Sequence, residues 1–286
     1  FHVRFEGMTG GGTFSGWPGR DPGTYLLLCD PFTFPAEPFL RELNDQAPGT
    51  VVIGGNASGG AGPGGTRLFI DRRVVEDGAV GCRAPGAVRA LVSQGCRPVG
   101  RPFTVTRSDG NVIHELAGTP AVQRLQETWD AAAPPDRELI ANGLLIGRVV
   151  NEYRSEFGPG DFLVRGVIGA DRESGAIAVA DHVTVGETVQ FHVRDAATAD
   201  EELRTLLERR LGPDAGRVAG ALLFTCNGRG THLFPEPDHD ARMVDTLLAV
   251  PTAGFFAAGE LGPVGDRTFV HGFTASLAVF LDGAER

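Results

Sequence analysis

The residues best suited to chemistry in this chain follow an apolar run at 221–225, which predicts a buried strand. They are Cys226, Asn227, Gly228 and Arg229. Glycine in such a turn lets backbone N–H groups point toward an anion, and Arg229 can add a bidentate contact to a carboxylate or phosphate. The alternative is a tight turn in which Cys226 is only a small core residue. The turn is the first candidate for a ligand site.

Glu260 is a second candidate, because it follows a glycine at the predicted end of a strand at 253–257. At the tip of that strand its carboxylate could hold an ammonium group, and the alternative is a solvated loop residue. His271 lies in a predicted apolar strand at 268–273. A histidine in that position is either a hydrogen-bonded structural residue or a ligand-binding one.

A third candidate is the predicted strand at 188–194, in which Gln190, His192 and Arg194 share one face. Such a face is either exposed or lines a polar pocket. Asp195 could instead pair with Arg194 or begin the next turn. The sequence therefore offers His192 and Arg194 as further ligand-binding residues.

Known catalytic and nucleotide-binding motifs do not support an enzyme. Gly60, Gly62 and Gly65 fit GxGxxG, but a strand is predicted at 68–75 where the dinucleotide fingerprint requires a helix. Walker A, HExxH and GxSxG patterns are absent, and the seven histidines lack metal-ligand spacing. We therefore predict no metal site, and the residues identify no cofactor.

Catalysis by Cys226 remains an alternative. A nucleophilic thiol needs a base within reach, such as His271 or His192, and a lowered thiol pKa. The sequence does not show either pairing. Binding is therefore favoured over catalysis.

Composition limits the partners. The formal net charge of −10 disfavours nucleic acid and an anionic membrane surface. No apolar run approaches the roughly 18 residues of a membrane-spanning helix. The four cysteines form no CxxC, which predicts reduced thiols in a cytoplasmic protein.

Two stretches of the chain that lie 200 residues apart are similar in sequence. Gly54, Ala57 and Gly59 in the first correspond to Gly254, Ala257 and Gly259 in the second. Around each stretch the predicted order is β-α-β-β-β, with helices at 35–46 and 238–250. We therefore predict an α+β fold with two similar halves related by an internal repeat, mixed or antiparallel sheets, and helices packed outside. The copies differ at Gly60 against Glu260 and at Asp71 against His271, which favours a ligand site in the C-terminal half.

Several segments resemble the FIST family, named for F-box proteins and intracellular signal transduction proteins. They are VSQGCRPVG (92–100), NVIHELAGTPA (111–121), VQFHVRDA (189–196), LLFTCNGRG (222–230), AGFFAAGELGP (253–263) and VHGFTASL (270–277). The resemblance covers about 24–281. It implies a FIST N-terminal segment at 24–118 and a FIST C-terminal segment at 119–286. The preceding residues, 1–23, are rich in glycine and proline and are predicted to be an irregular lead-in.

The resemblance also implies a sensor that binds small ligands, amino acids being the usual suggestion. We expect a sensor without an attached output domain, in which signalling would pass through a partner protein or a change of assembly. Some family members are haem-binding gas sensors, and haem would need an axial ligand such as His114, His192 or His271.

Our leading hypothesis is a stand-alone cytoplasmic sensor of a small polar molecule. Arg229 or Arg194 would bind a ligand carboxylate, Glu260 an ammonium group, and the backbone at 226–228 the remaining polar atoms. The alternatives are a haem-binding sensor, an enzyme with Cys226 as nucleophile, and an interaction module without a ligand.

Overall fold

The computed structural model describes residues 1–8, 11–19, 21–154, 156–158 and 160–282, and has the predicted α+β class with mixed and antiparallel sheets. The described residues contain five α-helices and nineteen strands. They divide into two compact units, the first made of 1–93 with 202–286 and the second of 94–201.

The N-terminal part of the first unit begins with strands. Residues 1–23 were expected to be irregular, but β1 and β2 pair in antiparallel fashion there, with Phe5 opposite Phe14. The two rings lie 5.0 Å apart, so aromatic contact across the ladder favours the pairing. The elements are β1 (His2–Met8), β2 (Gly11–Ser15), β3 (Thr24–Cys29), α1 (Ala36–Gln46), β4 (Val51–Ala57), β5 (Leu68–Ile70), β6 (Arg73–Val75), β7 (Ala79–Arg83) and β8 (Val88–Ser93).

The second unit is a seven-stranded antiparallel sheet with two helices. Its strands follow the order β11-β10-β14-β13-β12-β15-β9, and β10 also pairs with β9. Apolar side chains of these strands form one core with α2 and α3. The elements are β9 (Cys96–Asp109), β10 (Val112–Leu116), β11 (Thr119–Pro120), α2 (Ala121–Ala131), α3 (Pro134–Asn142), β12 (Leu144–Val149), β13 (Phe162–Asp171), β14 (Ala176–Val179) and β15 (Thr188–Arg194).

The C-terminal part of the chain completes the first unit. The boundary at 201 falls within α4, after which one π-helical turn continues to Arg210. Leu203, Leu207 and Leu211 lie on one face of this segment and pack on β16 and α5. The elements are α4 (Ala196–Thr205), β16 (Val218–Cys226), α5 (His239–Leu248), β17 (Thr252–Val264), β18 (Arg267–His271) and β19 (Ala275–Leu281).

Two β-α-β crossovers form the centre of the first unit's sheet, in the order β2-β1-β7-β3-β4-β17-β16-β19-β8 with β18 on β17. Parallel strands β3 and β4 are joined through α1, and parallel strands β16 and β17 through α5. Strands β4 and β17 then pair in antiparallel fashion. The internal repeat stays a prediction, and this arrangement is what such a repeat would require.

Strand β17 is longer than predicted and changes the position of Glu260. The strand predicted at 253–257 was expected to end before Glu260, but β17 continues to Val264 and pairs with β18. A register shift separates Ala257 from Glu260, and Gly259 has a φ of 112° there. Glycine adopts this backbone conformation readily, so the strand bends and continues. Glu260 therefore lies inside the sheet and not at a loop tip.

Candidate functional site

An ion pair in the first unit is the centre of the candidate site. Arg229, in the turn after β16, donates from Nε to Asp240 Oδ2 at 2.7 Å and from Nη2 to Oδ1 at 2.8 Å. Thr225 Oγ1 donates to Asp240 Oδ2 at 2.6 Å. Burial raises the pKa of Asp240, but the bonds from Arg229 and Thr225 outweigh it and hold that pKa below its ordinary value. Asp240 is therefore a carboxylate that joins α5 to the end of β16.

Aromatic and backbone groups enclose the guanidinium of Arg229. Its Cζ lies 5.3 Å from the centroid of Phe234, and its Nη1 donates to the Phe273 carbonyl at 3.4 Å. His239 stacks on Phe234 with 3.6 Å between ring centroids. Arg229 is fully buried, so a ligand carboxylate could reach it only by displacing Asp240. The geometry makes Arg229 an internal partner of Asp240.

A thiol and a carboxyl group form a second buried cluster. Cys226 ends β16, its Sγ lies 3.8 Å from Asn227 Oδ1, and the backbone N–H of Gly228 points to its Sγ at 3.4 Å. Glu260 Oε2 accepts hydrogen bonds from Thr274, at 3.1 Å from the backbone nitrogen and 2.8 Å from Oγ1. No N–H or O–H donor of the described residues reaches Oε1.

The surroundings of Glu260 favour its protonated form. Burial raises its pKa to about 7, although the bonds from Thr274, the charge of Arg229 and a contact with the Cys226 thiol act in the opposite direction. Glu260 has no solvent exposure and Cys226 is 6% exposed. The sequence brought attention to both residues, and the structure places them beside each other.

A cleft of about 800 Å³ lies between α5 and the first half of β17. From the helix side it is lined by residues at helical spacing: Asp238, Ala241, Arg242, Asp245 and Ala249. Thr225 and Asp240 also contact the cleft, so the buried ion pair lies beneath its wall. The strand side is lined by 252–256, which includes two phenylalanines.

The charges around the cleft have both signs. Asp238 and Asp245 supply carboxylates, whereas Arg242 supplies a guanidinium that lies 3.2 Å from Glu236 at the surface. This arrangement can hold a small molecule that carries both an ammonium and a carboxylate group. Sequence reasoning missed these residues, although polar residues repeat at helical spacing over 238–249 and give a detectable signal.

The other predicted site residues do not line the cleft. His271 is buried in β18 and its Nε2 hydrogen-bonds the Gly262 carbonyl at 2.9 Å, which is the structural alternative. His192 and Arg194 lie on β15 in the second unit. Burial lowers the pKa of His192 to about 4, and its ring packs edge-on against Phe162 at 4.8 Å.

A haem or metal site needs ligands that the cleft does not supply. The histidine that lines the cleft is His239, which contacts Asp240 and Phe234; His114, His192 and His271 are not in its lining. Among the described residues no group of three or more His, Cys, Asp or Glu side chains is arranged to hold a metal ion. The cleft residues therefore offer no axial haem ligand beyond a histidine that already has partners.

Comparison with known proteins gives the family. Residues 5–119 match the FIST N domain and residues 121–263 match the FIST C domain. The junction near residue 120 differs from the ends of the second compact unit at 94 and 201. In the described part of the chain, no helix is long and apolar enough to cross a membrane.

Relatives occur in mycobacteria. Protein Rv0628c of Mycobacterium tuberculosis is 50% identical over an alignment 288 residues long. The alignment covers 99% of this chain and 75% of the relative. Protein Mb0898c of Mycobacterium bovis is 51% identical over 263 residues, which cover 91% of this chain and 68% of the relative. Both relatives are described as uncharacterized. With both domain matches spanning most of its length, the chain belongs to the FIST family.

Proposed function

We propose that this chain is a sensor that binds a small zwitterionic molecule, such as an amino acid, in the cleft between α5 and β17. FIST domains are sensory domains of signal transduction, and this gives the coarse role. The observation that carries the ligand proposal is the cleft itself. Its volume of about 800 Å³ is within the range of small-molecule sites, roughly 300–1,000 Å³.

The proposed ligand class follows from the charges on the helix side of the cleft. Asp245 and Asp238 would accept hydrogen bonds from an ammonium group, and Arg242 would donate to a carboxylate. Phe256, which lies opposite Thr225 in the ladder, would contact an apolar side chain. These residues replace Arg229 and Glu260 in the roles expected from the sequence, because both of those side chains are buried.

The ion pair offers a route from the cleft to the sheet. A ligand that shifts α5 would move Asp240, which is bonded to Thr225 and Arg229. Arg229 in turn contacts the Phe273 carbonyl, between β18 and β19. We propose that such a displacement is read by a signalling partner protein.

The experiment is a thermal-shift screen of amino acids and small amines, followed by calorimetric titration of the hits. A ligand at 100 times its Kd should stabilise the protein by about 2.7 kcal/mol. Ala241→Trp would fill the cleft, because Ala241 is an exposed lining residue of α5. We expect this variant to weaken binding at least tenfold.

Thr246→Trp is the matched control, since Thr246 is exposed on the same helix and is not part of the lining. It should bind as the wild type does. Hits that bind equally well to the wild type and to Ala241→Trp would show that the cleft is not their site. A screen without any hit would overturn the zwitterion proposal.

A further inference from the structure

The Cys226–Glu260 cluster has no role in the proposed ligand site. Neither residue lines the cleft. Successive residues of a strand point to opposite faces, and Thr225 points toward Asp240 under α5. Cys226 therefore points to the other face of the sheet, where Glu260 is its neighbour.

Three features around Cys226 favour transfer of the thiol proton. Glu260 Oε1 is fully buried and receives no N–H or O–H hydrogen bond from the described residues, so it is open to a proton. The Gly228 N–H points at Sγ, and the positive charge of Arg229 acts on the cluster. The N–H stabilises negative charge on sulfur, and Arg229 favours the carboxylate form of Glu260, which is the form that can accept the proton.

The charged and titratable neighbours of Glu260 are few in the described part of the chain. Arg229 comes from the turn after β16, and it donates two hydrogen bonds to Asp240 of α5. His271 of β18 lies opposite Glu260 in the ladder and bonds the Gly262 carbonyl. Cys226 is the remaining partner, so a proton leaving the thiol has Glu260 as its nearby carboxyl acceptor.

We propose that Cys226 is a peroxide-reactive thiol and that Glu260 is the base that takes its proton. In this step the proton of Sγ moves to the Glu260 carboxylate, and the thiolate attacks the terminal oxygen of a hydroperoxide. The S–O bond forms while the O–O bond breaks. The leaving alkoxide or hydroxide takes the proton back from Glu260, which gives Cys226 sulfenic acid and an alcohol or water.

The small exposure of the sulfur restricts the reagent. Cys226 is 6% exposed, so a compact hydroperoxide should react faster than a bulky one. Gly228 leaves room beside the sulfur, since a Cβ built on it would lie 3.6 Å from Sγ in ordinary contact. Gly228→Ala should therefore fold and narrow the approach.

Two other cysteines of the chain are internal references. Cys82 is exposed. Cys29 is fully buried, and its burial beside Asp30 raises the pKa of its thiol. Peptide mass spectrometry can follow all three thiols in one sample.

The test treats the full chain with hydrogen peroxide, stops the reaction in denaturant with dimedone, and measures labelling at each cysteine over time. We expect Cys226 to react at least tenfold faster in the wild type than in Glu260→Gln, since general bases contribute at least about 10²-fold in favourable sites. Cys82 should react equally in both proteins, and Cys29 should stay unlabelled. Equal rates at Cys226 would overturn the proposal.

The pH profile separates a proton acceptor from a structural role. In the wild type the Cys226 rate should rise through about pH 7, where Glu260 loses its proton. In Glu260→Gln it should rise only near the ordinary thiol pKa of about 8.5. Identical profiles would contradict the role of Glu260.

Gly228→Ala provides a test that keeps Glu260 in place. This variant should slow the reaction of Cys226 with tert-butyl hydroperoxide more than its reaction with hydrogen peroxide. It should leave the midpoint of the pH profile unchanged. An unchanged ratio of the two rates would show that the peroxide does not approach past Gly228. If Glu260→Gln does not fold, the profile of Gly228→Ala still decides the issue, because a midpoint away from pH 7 contradicts Glu260 as base.

Discussion

The residue with the largest energetic consequence in the candidate site is Arg229. Removing a guanidinium from water is costly, and arginine cannot lose its proton inside a protein. The bidentate bond to Asp240 and the contact with the Phe273 carbonyl offset that cost. The buried ion pair thus holds the turn after β16 against the start of α5.

Asp240→Asn should destabilise the protein strongly, because it leaves the buried charge of Arg229 without a counter-charge. We expect a loss of about 3–5 kcal/mol in the free energy of unfolding, measured by urea denaturation. Asp45→Asn is the control, since it removes an exposed pair with Arg267 whose side chains are 64% and 45% exposed. That change should cost at most about 1 kcal/mol in the free energy of unfolding. Equal losses in the two variants would contradict the stabilising role of the buried Arg229–Asp240 pair.

At single residues the sequence selected Cys226, Arg229 and Glu260, and the structure gives these residues contacts that the sequence did not predict. The turn at 226–229 and Glu260 could be selected because polar residues interrupt apolar strands. The partner of Arg229 could not be predicted, since Asp240 reaches it only through the crossover that folds α5 back over β16. Glu260 was expected at a strand tip, where it would bind a ligand or be solvated, because its glycine neighbours are typical of a loop.

Among the elements, the two parallel strand pairs depend on close backbone approach at one glycine each. Leu27 lies opposite Gly54, and Leu223 lies opposite Gly254. A Cβ built on either glycine would lie 1.8 Å from the carbonyl oxygen of the opposite leucine. Backbone atoms cannot yield by that amount without breaking the ladder, which explains why glycine stands at both positions.

Gly54→Ala should therefore be severely destabilising, by at least about 3 kcal/mol, and should lower the yield of folded protein. Its φ of 155° adds strain for any residue with a Cβ. Gly62→Ala is the matched control, because no atom lies within 4 Å of the position that its Cβ would take, and it should change stability by about 0.5 kcal/mol or less. Thermal unfolding of both variants gives the comparison.

Gly254→Ala extends this test to the proposed repeat. If the two crossovers are copies of one unit, its cost should be similar to that of Gly54→Ala. A tolerated alanine at Gly254 would speak against equivalent roles for the two glycines.

The β-α-β order of the two crossovers could be predicted from the sequence, whereas the parallel pairing of their strands, the strand lengths and the short elements could not. Apolar runs predicted β16 and the first half of β17, and helical spacing predicted α1 and α5. The second half of β17 was not predicted because Gly259, Gly262 and Pro263 are typical of loops. The strand accommodates them through a bulge between Ala257 and Glu260 and through pairing with the short strand β18. Strand β8 and helix α3 were not predicted at all.

At the scale of the whole molecule, the compact units do not follow the order of the chain. The first unit is assembled from both ends of the chain, because β4 pairs with β17 and β8 pairs with β19. The second unit is continuous over 94–201. Pairings between residues nearly 200 positions apart leave no local signal in the sequence, so the discontinuous first unit could not be predicted. The predicted boundary at 118–119 came from the family resemblance, which divides the chain in sequential order.

Each unit contains a buried group with a shifted pKa, Glu260 in the first and His192 in the second, and the two shifts oppose each other in their effect on stability. The folded state binds the Glu260 proton more tightly than the unfolded chain does, since its pKa is about 7 against an ordinary 4.5. Stability is therefore lost as pH rises from 4.5 through 7, by roughly 3 kcal/mol. For His192 the folded pKa is about 4 against 6.5, so stability is lost as pH falls from 6.5 toward 4, by a similar amount.

Single variants should reveal both effects, which overlap in the wild type. Relative to the wild type, Glu260→Gln should gain stability in the first unit as pH rises from 4.5 to 7.5, and His192→Gln should gain it in the second unit as pH falls from 6.5 to 4. Hydrogen exchange of β17 and β15 peptides, corrected for the intrinsic pH dependence of exchange, measures the two units separately. Because each variant removes one titration only, the β15 peptides of Glu260→Gln and the β17 peptides of His192→Gln should keep the wild-type pH slope. A difference curve that stays flat in the unit carrying the substitution would mean that the substituted group has the same proton affinity in the folded and unfolded chain, and that its burial does not shift its titration.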